Sequence, residues 1–322
     1  LWATPFGRMQ GGYPGPRSTP TWRDGRLYVI SSDGKLLCAE ARDGARIWSR
    51  DLVREFGGQC GSWAYAESPL VDDERVICTP GGSNATMVAL DRRTGATIWT
   101  CAVRRVRSTE AGARRPRRAY GTAGYASVVA AEIGGVRQYV QFLDGGVVGV
   151  SAEDGRLLWA WDDPASPVAN CTTPIVEGGI VFAASAYNTG GGAARIVRSG
   201  DHFAVQPLWF LKQFQNHHGG VVLVNGHLYG TGASQLFCVE WETGRVAWSA
   251  PSVGKGAISA AGSRLYVRSE NGPVALVEAN PAAYRECGRF EQPNRSAAKA
   301  WPHPVIADGR LFLRDQELVL CY

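Results

Sequence analysis

The chain has 322 residues, of which 45% are hydrophobic, and a formal net charge of +5 at pH 7. A chain with this length and apolar content can bury a large core, and a repeat array of this size can remain a single domain. No apolar run in the sequence approaches the roughly 20 residues that a membrane-spanning helix needs, so we expect no transmembrane segment.

An eleven-residue phrase recurs along the chain. It has a small residue first, an acidic or polar residue third, glycine seventh and tryptophan eleventh. The clear copies occupy residues 38–48, 89–99, 149–159 and 238–248, and degenerate copies end at Trp209 and Phe290. Self-similarity at a fixed spacing is typical of a repeat architecture, so the phrase is the primary structural signal in this sequence.

Each repeat contains four short β-patterned stretches. In the first repeat these begin at Ser18, Gly25, Lys35 and Ala45, and glycine-containing turns separate them. Equivalent repeats begin near residues 18, 67, 126, 172, 218, 256 and 302. Four-stranded units of about 40–50 residues are typical of a β-propeller. We therefore predict an all-β propeller of four-stranded antiparallel blades, seven of them countable, in one domain over residues 1–322.

The recurring tryptophan is predicted to be a packing residue. It lies on the fourth strand of each repeat, where its ring can pack on the small residue at position one or on the glycine turn of a neighbouring repeat. Three of the eight cysteines (Cys38, Cys238 and Cys321) stand at position one, so we interpret them as small buried residues. The other five form no Cys-x-x-Cys pair, so we predict no metal site. One disulfide among Cys60, Cys78, Cys101 and Cys171 is left as an open alternative.

Both ends of the chain fall inside a repeat, with Leu1-Trp2 matching the end of the phrase and Leu320-Cys321-Tyr322 its start. Either the amino-terminal residues complete the last blade, or they finish a blade whose first three strands are missing. We favour the second interpretation.

One segment supplies much of the positive charge. Its seven arginines are Arg104, Arg105, Arg107, Arg114, Arg115, Arg117 and Arg118. A solvated insertion between blades is the favoured interpretation, and an anionic partner is the alternative. No aromatic residues alternate with these arginines, so we expect no nucleic-acid partner.

Loops that enter the inner strands of a propeller gather at one mouth of its central channel, where a rigid scaffold can display polar groups. We predict a ligand-binding site there with these residues: Trp63, Tyr65, Glu67, Tyr125, Asn188, His217, His218, Lys255, Trp301 and His303. Histidines also suggest metal binding or acid–base chemistry. However, adjacent histidines on an extended strand point to opposite faces, so we expect His217 and His218 not to share an ion.

The phrase resembles the tryptophan-docking motif of quinoprotein propellers. These pyrroloquinoline quinone (PQQ)-like repeats occur in PQQ-dependent alcohol dehydrogenases and in BamB-type outer-membrane assembly lipoproteins. More narrowly, residues 63–70, 216–222, 254–256 and 300–305 are similar to a bacterial group of PQQ-binding-like propellers, usually secreted and generally eight-bladed. The resemblance implies a periplasmic or secreted location, and it supports a missing blade before Leu1-Trp2.

The resemblance does not by itself imply that this chain binds PQQ. The dehydrogenases hold PQQ between a tryptophan and a disulfide of adjacent cysteines, and this chain contains no Cys-Cys pair. They also need calcium ligands and a catalytic aspartate. Only Glu67, Asn84 and Asn188 are candidates for such a calcium shell. We therefore expect no cofactor, with PQQ and calcium as the alternative.

Three functional hypotheses remain. The first is a monomeric, non-catalytic, extracytoplasmic module that binds a protein, small molecule or saccharide at the channel mouth. The second is a quinoprotein-like alcohol or sugar oxidoreductase in which Glu67 or a histidine acts as the base. The third is a BamB-like scaffold that pairs with an exposed strand or loop of a partner.

Overall fold

A computed structural model describes residues 1–13, 15–103 and 121–322 of the chain. The arginine-rich segment 104–118, and with it the predicted insertion or anionic contact, lies outside these residues. The described part contains 27 strands and a single short helix, α1 (Leu52–Phe56). Asp51 caps this helix by accepting a hydrogen bond from the Arg54 amide. Within the described residues, no helix is long and apolar enough to cross a membrane.

The strands form seven sheets, which are the seven predicted blades. The first contains β1 (Thr21–Arg23), β2 (Arg26–Ile30), β3 (Lys35–Glu40) and β4 (Arg46–Asp51). The second contains β5 (Leu70–Asp72), β6 (Arg75–Cys78), β7 (Met87–Asp91) and β8 (Thr97–Cys101). The third contains β9 (Val129–Ile133), β10 (Val136–Leu143), β11 (Gly146–Ser151) and β12 (Leu157–Trp161). The fourth contains β13 (Ile175–Glu177), β14 (Ile180–Ser185), β15 (Gly190–Ser199) and β16 (His202–Leu211).

The remaining sheets follow in chain order. The fifth contains β17 (Val221–Val224), β18 (His227–Thr231), β19 (Leu236–Glu240) and β20 (Val246–Ala250). The sixth contains β21 (Gly256–Ala261), β22 (Arg264–Ser269), β23 (Val274–Glu278) and β24 (Glu286–Phe290). The seventh has three strands in the described structure, β25 (Val305–Ala307), β26 (Arg310–Asp315) and β27 (Leu318–Cys321). The predicted all-β propeller class is confirmed.

The chain divides into two compact units. The first comprises Leu1–Gly179 with Ile196–Val205, and the second comprises Ile180–Arg195 with Gln206–Tyr322. Each has its own apolar core, built from strand residues that face neighbouring sheets.

The repeated phrase encodes a bulged hairpin between the third and fourth strands of a blade. In four sheets the residue at position one pairs directly with the tryptophan, as Cys38 does with Trp48. A β-bulge follows position one in each of these sheets, and the glycine at position seven has φ between 71° and 76°. An L side chain is penalised in that left-handed region, which explains the glycine.

The tryptophan docks on the next sheet along the chain. The Trp99 indole nitrogen donates a hydrogen bond to the Ala152 carbonyl at 3.1 Å, and its ring covers Gly155. Trp48 makes the same contacts with Arg92 and Gly95. Each ring therefore closes the space between two blades, and the predicted packing role of these tryptophans is confirmed.

Trp159 departs from this pattern, since its ring folds back onto its own sheet. Its indole donates to the Gln138 side chain at 2.8 Å, and a Cβ at Gly149 would lie 2.2 Å from the ring. The fourth sheet has no copy of the glycine phrase, so the docking surface used by Trp48 and Trp99 is missing. Glycine at position one provides the space instead.

The cysteine prediction is partly wrong. Cys38 and Cys238 are buried beneath their tryptophans as expected, whereas Cys321 is exposed. Cys321 lies on β27, the edge strand of the three-stranded sheet, where no fourth strand covers it. All eight cysteines are free thiols.

The docking geometry predicts that Gly155→Ala is more destabilising than its backbone conformation alone requires. A Cβ at Gly155 would lie 2.7 Å from the Trp99 ring. Gly25 is a matched control because its φ is +77°, against +76° at Gly155, and nothing lies within 4 Å of its Cβ position. We expect Gly25→Ala to cost about 1 kcal/mol, and Gly155→Ala about 1–3 kcal/mol more because of overpacking. Urea unfolding of both variants measures the difference, and equal losses would contradict the docking interpretation.

Candidate functional site

Four of the ten predicted site residues lie in the first unit. Trp63 and Tyr125 form an edge-to-face pair with ring centroids 5.6 Å apart, and the Trp63 amide donates to the Tyr125 hydroxyl at 3.4 Å. A parallel bridge between Cys60 and Ala123 brings their two segments together. Both rings are half-buried, so their outer parts remain available to a ligand.

The other two, Tyr65 and Glu67, are buried with partners inside the protein. The Tyr65 hydroxyl donates to the Pro80 carbonyl at 2.7 Å. The Glu67 carboxylate accepts hydrogen bonds from the Thr79 amide and from the Gln141 side chain. Since Gln141 lies on β10 in the third sheet and Thr79 follows β6 in the second, this network links two blades. Burial raises the pKa of Glu67 to about 7, against the opposing hydrogen bonds from Thr79.

In the second unit, a braced loop presents His217 and His218. The Asn216 side-chain amide donates to the carbonyl of Gly220 at 2.9 Å and to that of Thr231 at 2.8 Å. A Cβ at Gly219 would lie 1.7 Å from the Gly256 carbonyl oxygen, so the loop can approach the next blade only with glycine at that position. These contacts fix the direction in which both imidazoles project.

The expectation that the two histidines point apart is wrong. Their ring centroids are 4.5 Å apart, because residues 214–220 form a bent loop and not an extended strand. The row of rings continues on both sides: Tyr187 packs edge-on to His217 at 5.0 Å, and Trp301 lies 5.1 Å from His218. The Tyr187 hydroxyl is 2.7 Å from Nε2 of His217.

A carboxylate that we did not predict lies at the centre of this group. Glu270 follows β22, and its Oε2 accepts a hydrogen bond from the Trp301 indole at 3.1 Å. Two ammonium groups flank it, with Lys255 Nζ 3.3 Å from Oε2 and Lys299 Nζ 3.4 Å from Oε1. We call this set the Glu270 cluster. It comprises Tyr187, His217, His218, Lys255, Glu270, Lys299 and Trp301.

The cluster holds both imidazoles neutral at pH 7. Burial is the main cause that lowers the pKa of His217 to about 4 and that of His218 to about 3, and the positive charge of Lys255 adds to it. Burial alone would raise the pKa of Glu270. The Trp301 hydrogen bond and the charge of Lys255 outweigh burial and keep this pKa below its ordinary value. Nε2 of His218 lies 3.7 Å from Glu270, so a neutral ring makes neither an ion pair nor a hydrogen bond there.

The last two predicted residues lie beside the cluster. Each ring nitrogen of His303 is 3.2 Å from a backbone carbonyl, one of Ile258 and one of His218, so its ring braces the histidine loop. Asn188 is exposed in the turn that carries Tyr187, and both residues have left-handed φ angles, 61° and 56°. Such a conformation costs about 1 kcal/mol or more for a non-glycine residue. The turn thus holds Tyr187 against His217 at an energetic cost.

The predicted residues therefore divide between the units, and only those of the second unit surround a charged group. Glu270 and Lys299 were missed by sequence analysis. The available signal was positional, because Glu270 occupies the link between the second and third strands of its blade, as Tyr187 and Asn188 do. Across the described residues, no three His, Cys, Asp or Glu side chains are grouped as metal ligands.

Comparisons with known proteins agree with this architecture. The family profile described as "Outer membrane protein assembly factor BamB" matches residues 1–250. The crystal structure of BamB from Moraxella catarrhalis aligns with a TM-score of 0.64 and 16% identity, covering 95% of this chain and 81% of that chain. A computationally designed protein, Ika8, aligns with a TM-score of 0.52 and 11% identity over 98% of both chains. A search of curated protein sequences gives no match.

Proposed function

Because the chain belongs to the BamB-like family of PQQ-type propellers, we propose that it is a non-catalytic binding or scaffold module. The Glu270 cluster of the second unit is its recognition surface. The blades supply a rigid frame, and the loops between their strands supply the contacts.

One observation carries this proposal: two lysines and an indole N–H converge on one partly exposed carboxylate within 3.4 Å. The rings of Tyr187, His217, His218 and Trp301 lie in a row beside it. Aromatic surface next to a few fixed charged groups is the usual composition of a binding site, in which the rings supply area and the charges supply orientation.

Within the Glu270 cluster, the protonation states favour binding over acid–base catalysis. A general base works best when its pKa is near the operating pH. The pKa values of His217 and His218, about 4 and about 3, make these imidazoles weak bases at neutral pH. Ion pairs already engage the Glu270 carboxylate. These groups are therefore suited to hold a ligand.

The described residues do not fit a calcium–quinone centre. The sequence lacks adjacent cysteines, and Glu67 is already engaged by Thr79 and Gln141 in the buried network. We therefore propose binding without a cofactor, by a monomer in the periplasm or outside the cell.

Site-specific photo-crosslinking tests this proposal. Ala298 is exposed and adjacent to Lys299, whereas Ala283 is an exposed alanine of the same unit on another segment. With a benzophenone side chain at either position, in cells that natively express the protein, we expect a discrete adduct from position 298 and none from position 283. The adduct should disappear in a Trp301→Ala background, because the ring beside Glu270 is then lost.

Two results would contradict the proposal. One is equal crosslinking from both positions, which would indicate general surface contact. The other is oxidation of alcohols or sugars by the purified protein, with PQQ, calcium and an artificial electron acceptor. That activity would favour the oxidoreductase alternative.

A further inference from the structure

The two lysines of the Glu270 cluster are half of all the lysines in the chain, the others being Lys35 and Lys212. They approach opposite oxygens of one carboxylate. Lys299 also donates to the Asn271 side chain. The shared carboxylate fixes both ammonium groups on one surface although they come from separate loops.

The cluster retains positive charge after this internal pairing. Lys255 and Lys299 contribute two positive charges and Glu270 one negative charge, while both imidazoles are neutral, which leaves +1. The Arg295 guanidinium donates to the Glu270 carbonyl at 3.0 Å, and the Asp315 carboxylate partly offsets its charge. An ammonium group has three donors, so Lys255, paired with Glu270, and Lys299, which contacts Glu270 and Asn271, can each bind one further acceptor. The side chains of Lys255 and Lys299 are 30% and 50% exposed, which makes both accessible.

We propose that the Glu270 cluster binds an acidic peptide segment of a protein partner, with aspartate or glutamate carboxylates held by Lys255 and Lys299. This inference rests on the proposed function and specifies the chemistry of its partner. Tyr187, 39% exposed at one end of the row of rings, supplies apolar contact beside the charges. Carboxylates match the excess of donors, and the apolar parts of a peptide match the ring edges.

A peptide suits this surface better than a nucleic acid does. Nucleic-acid affinity comes from many phosphate contacts along a basic stripe, and ring faces that stack on bases add to it. Here two accessible lysines are grouped around one carboxylate. The rings of His217 and His218 are in tilted contact with neighbouring rings. The surface thus fits one or two carboxylates.

Fluorescence anisotropy with defined probes tests the inference. A fluorescein-labelled peptide of eight glutamates is titrated with the protein at low salt, and eight glutamines form the neutral probe. We expect binding of the glutamate peptide only, weakened about tenfold by the Lys255→Gln/Lys299→Gln pair, which corresponds to about 1.4 kcal/mol. The pair Lys212→Gln/Arg310→Gln removes the same charge from exposed positions of the second unit and should change the affinity less than about twofold.

Equal weakening by both pairs would overturn the inference, because it would indicate attraction by net charge alone. Tighter binding of a labelled single-stranded DNA that depends on Lys255 and Lys299 would also overturn it. Thermal melts establish that each variant is folded. A crosslink from position 298 without binding of the glutamate peptide would refute the acidic partner and leave the binding function intact.

Discussion

Glu67→Gln is expected to gain about 3 kcal/mol of stability relative to the native protein between pH 4.5 and pH 8. The folded-state pKa of Glu67 is about 7, whereas its ordinary value is 4.5. Below pH 4.5 the group is protonated in both states and makes no contribution. As pH rises towards 7, the unfolded chain releases a proton that the folded protein retains, so the native protein loses stability. Each pKa unit corresponds to about 1.36 kcal/mol.

The change in this difference with pH is the quantity to measure. The Gln141 side-chain amide donates a hydrogen bond to Oε2 of Glu67 at 3.1 Å. Glutamine at position 67 places a second donor there, which costs a constant amount at every pH. Urea unfolding from pH 4.5 to pH 8 separates that constant from the titration. Glu132→Gln, at an exposed position of β9, reports the contribution of net charge alone. A stability difference between Glu67→Gln and the native protein that does not change with pH would show that Glu67 ionises without cost in the folded protein.

The sequence predicted the blades because the repeat specifies local geometry. A small residue pairs directly with the tryptophan, and glycine at position seven takes the left-handed conformation that the turn requires. Both requirements act within eleven residues, so a single sequence displays them. The motif does not specify the target of each indole, because docking of Trp99 on Gly155 depends on the next sheet.

The candidate site was only partly predictable, because it forms where loops from separate blades meet. Outside the repeat, the sequence shows unusual residues at His217, His218, Lys255 and Trp301. Glu270 lies in an ordinary Glu-Asn-Gly turn, and nothing in its neighbourhood in the sequence indicates two lysines around it. An extended strand would place the two histidines on opposite faces, whereas Asn216 holds their segment in a bend.

His218→Phe is expected to stabilise the protein, and more strongly as the pH falls. Neither ring nitrogen of His218 has a hydrogen-bond partner in the described structure, so a phenyl ring removes two unsatisfied polar atoms. A gain of about 1 kcal/mol at pH 8 is the expected size of that effect. The phenyl ring also keeps the contact with Trp301.

The pH dependence has the opposite sign to that of Glu67. The pKa of His218 falls from 6.5 to about 3 on folding. Below pH 6.5 the unfolded chain therefore takes up a proton that the folded protein does not, and the native protein loses about 2 kcal/mol by pH 5. His218→Phe lacks this loss, so its advantage should grow by that amount between pH 8 and pH 5. The exposed His202→Phe is the matched control. An advantage that stays constant with pH would show that folded His218 accepts a proton as readily as the unfolded chain does, and would remove the premise that burial keeps the Glu270 cluster's imidazoles neutral.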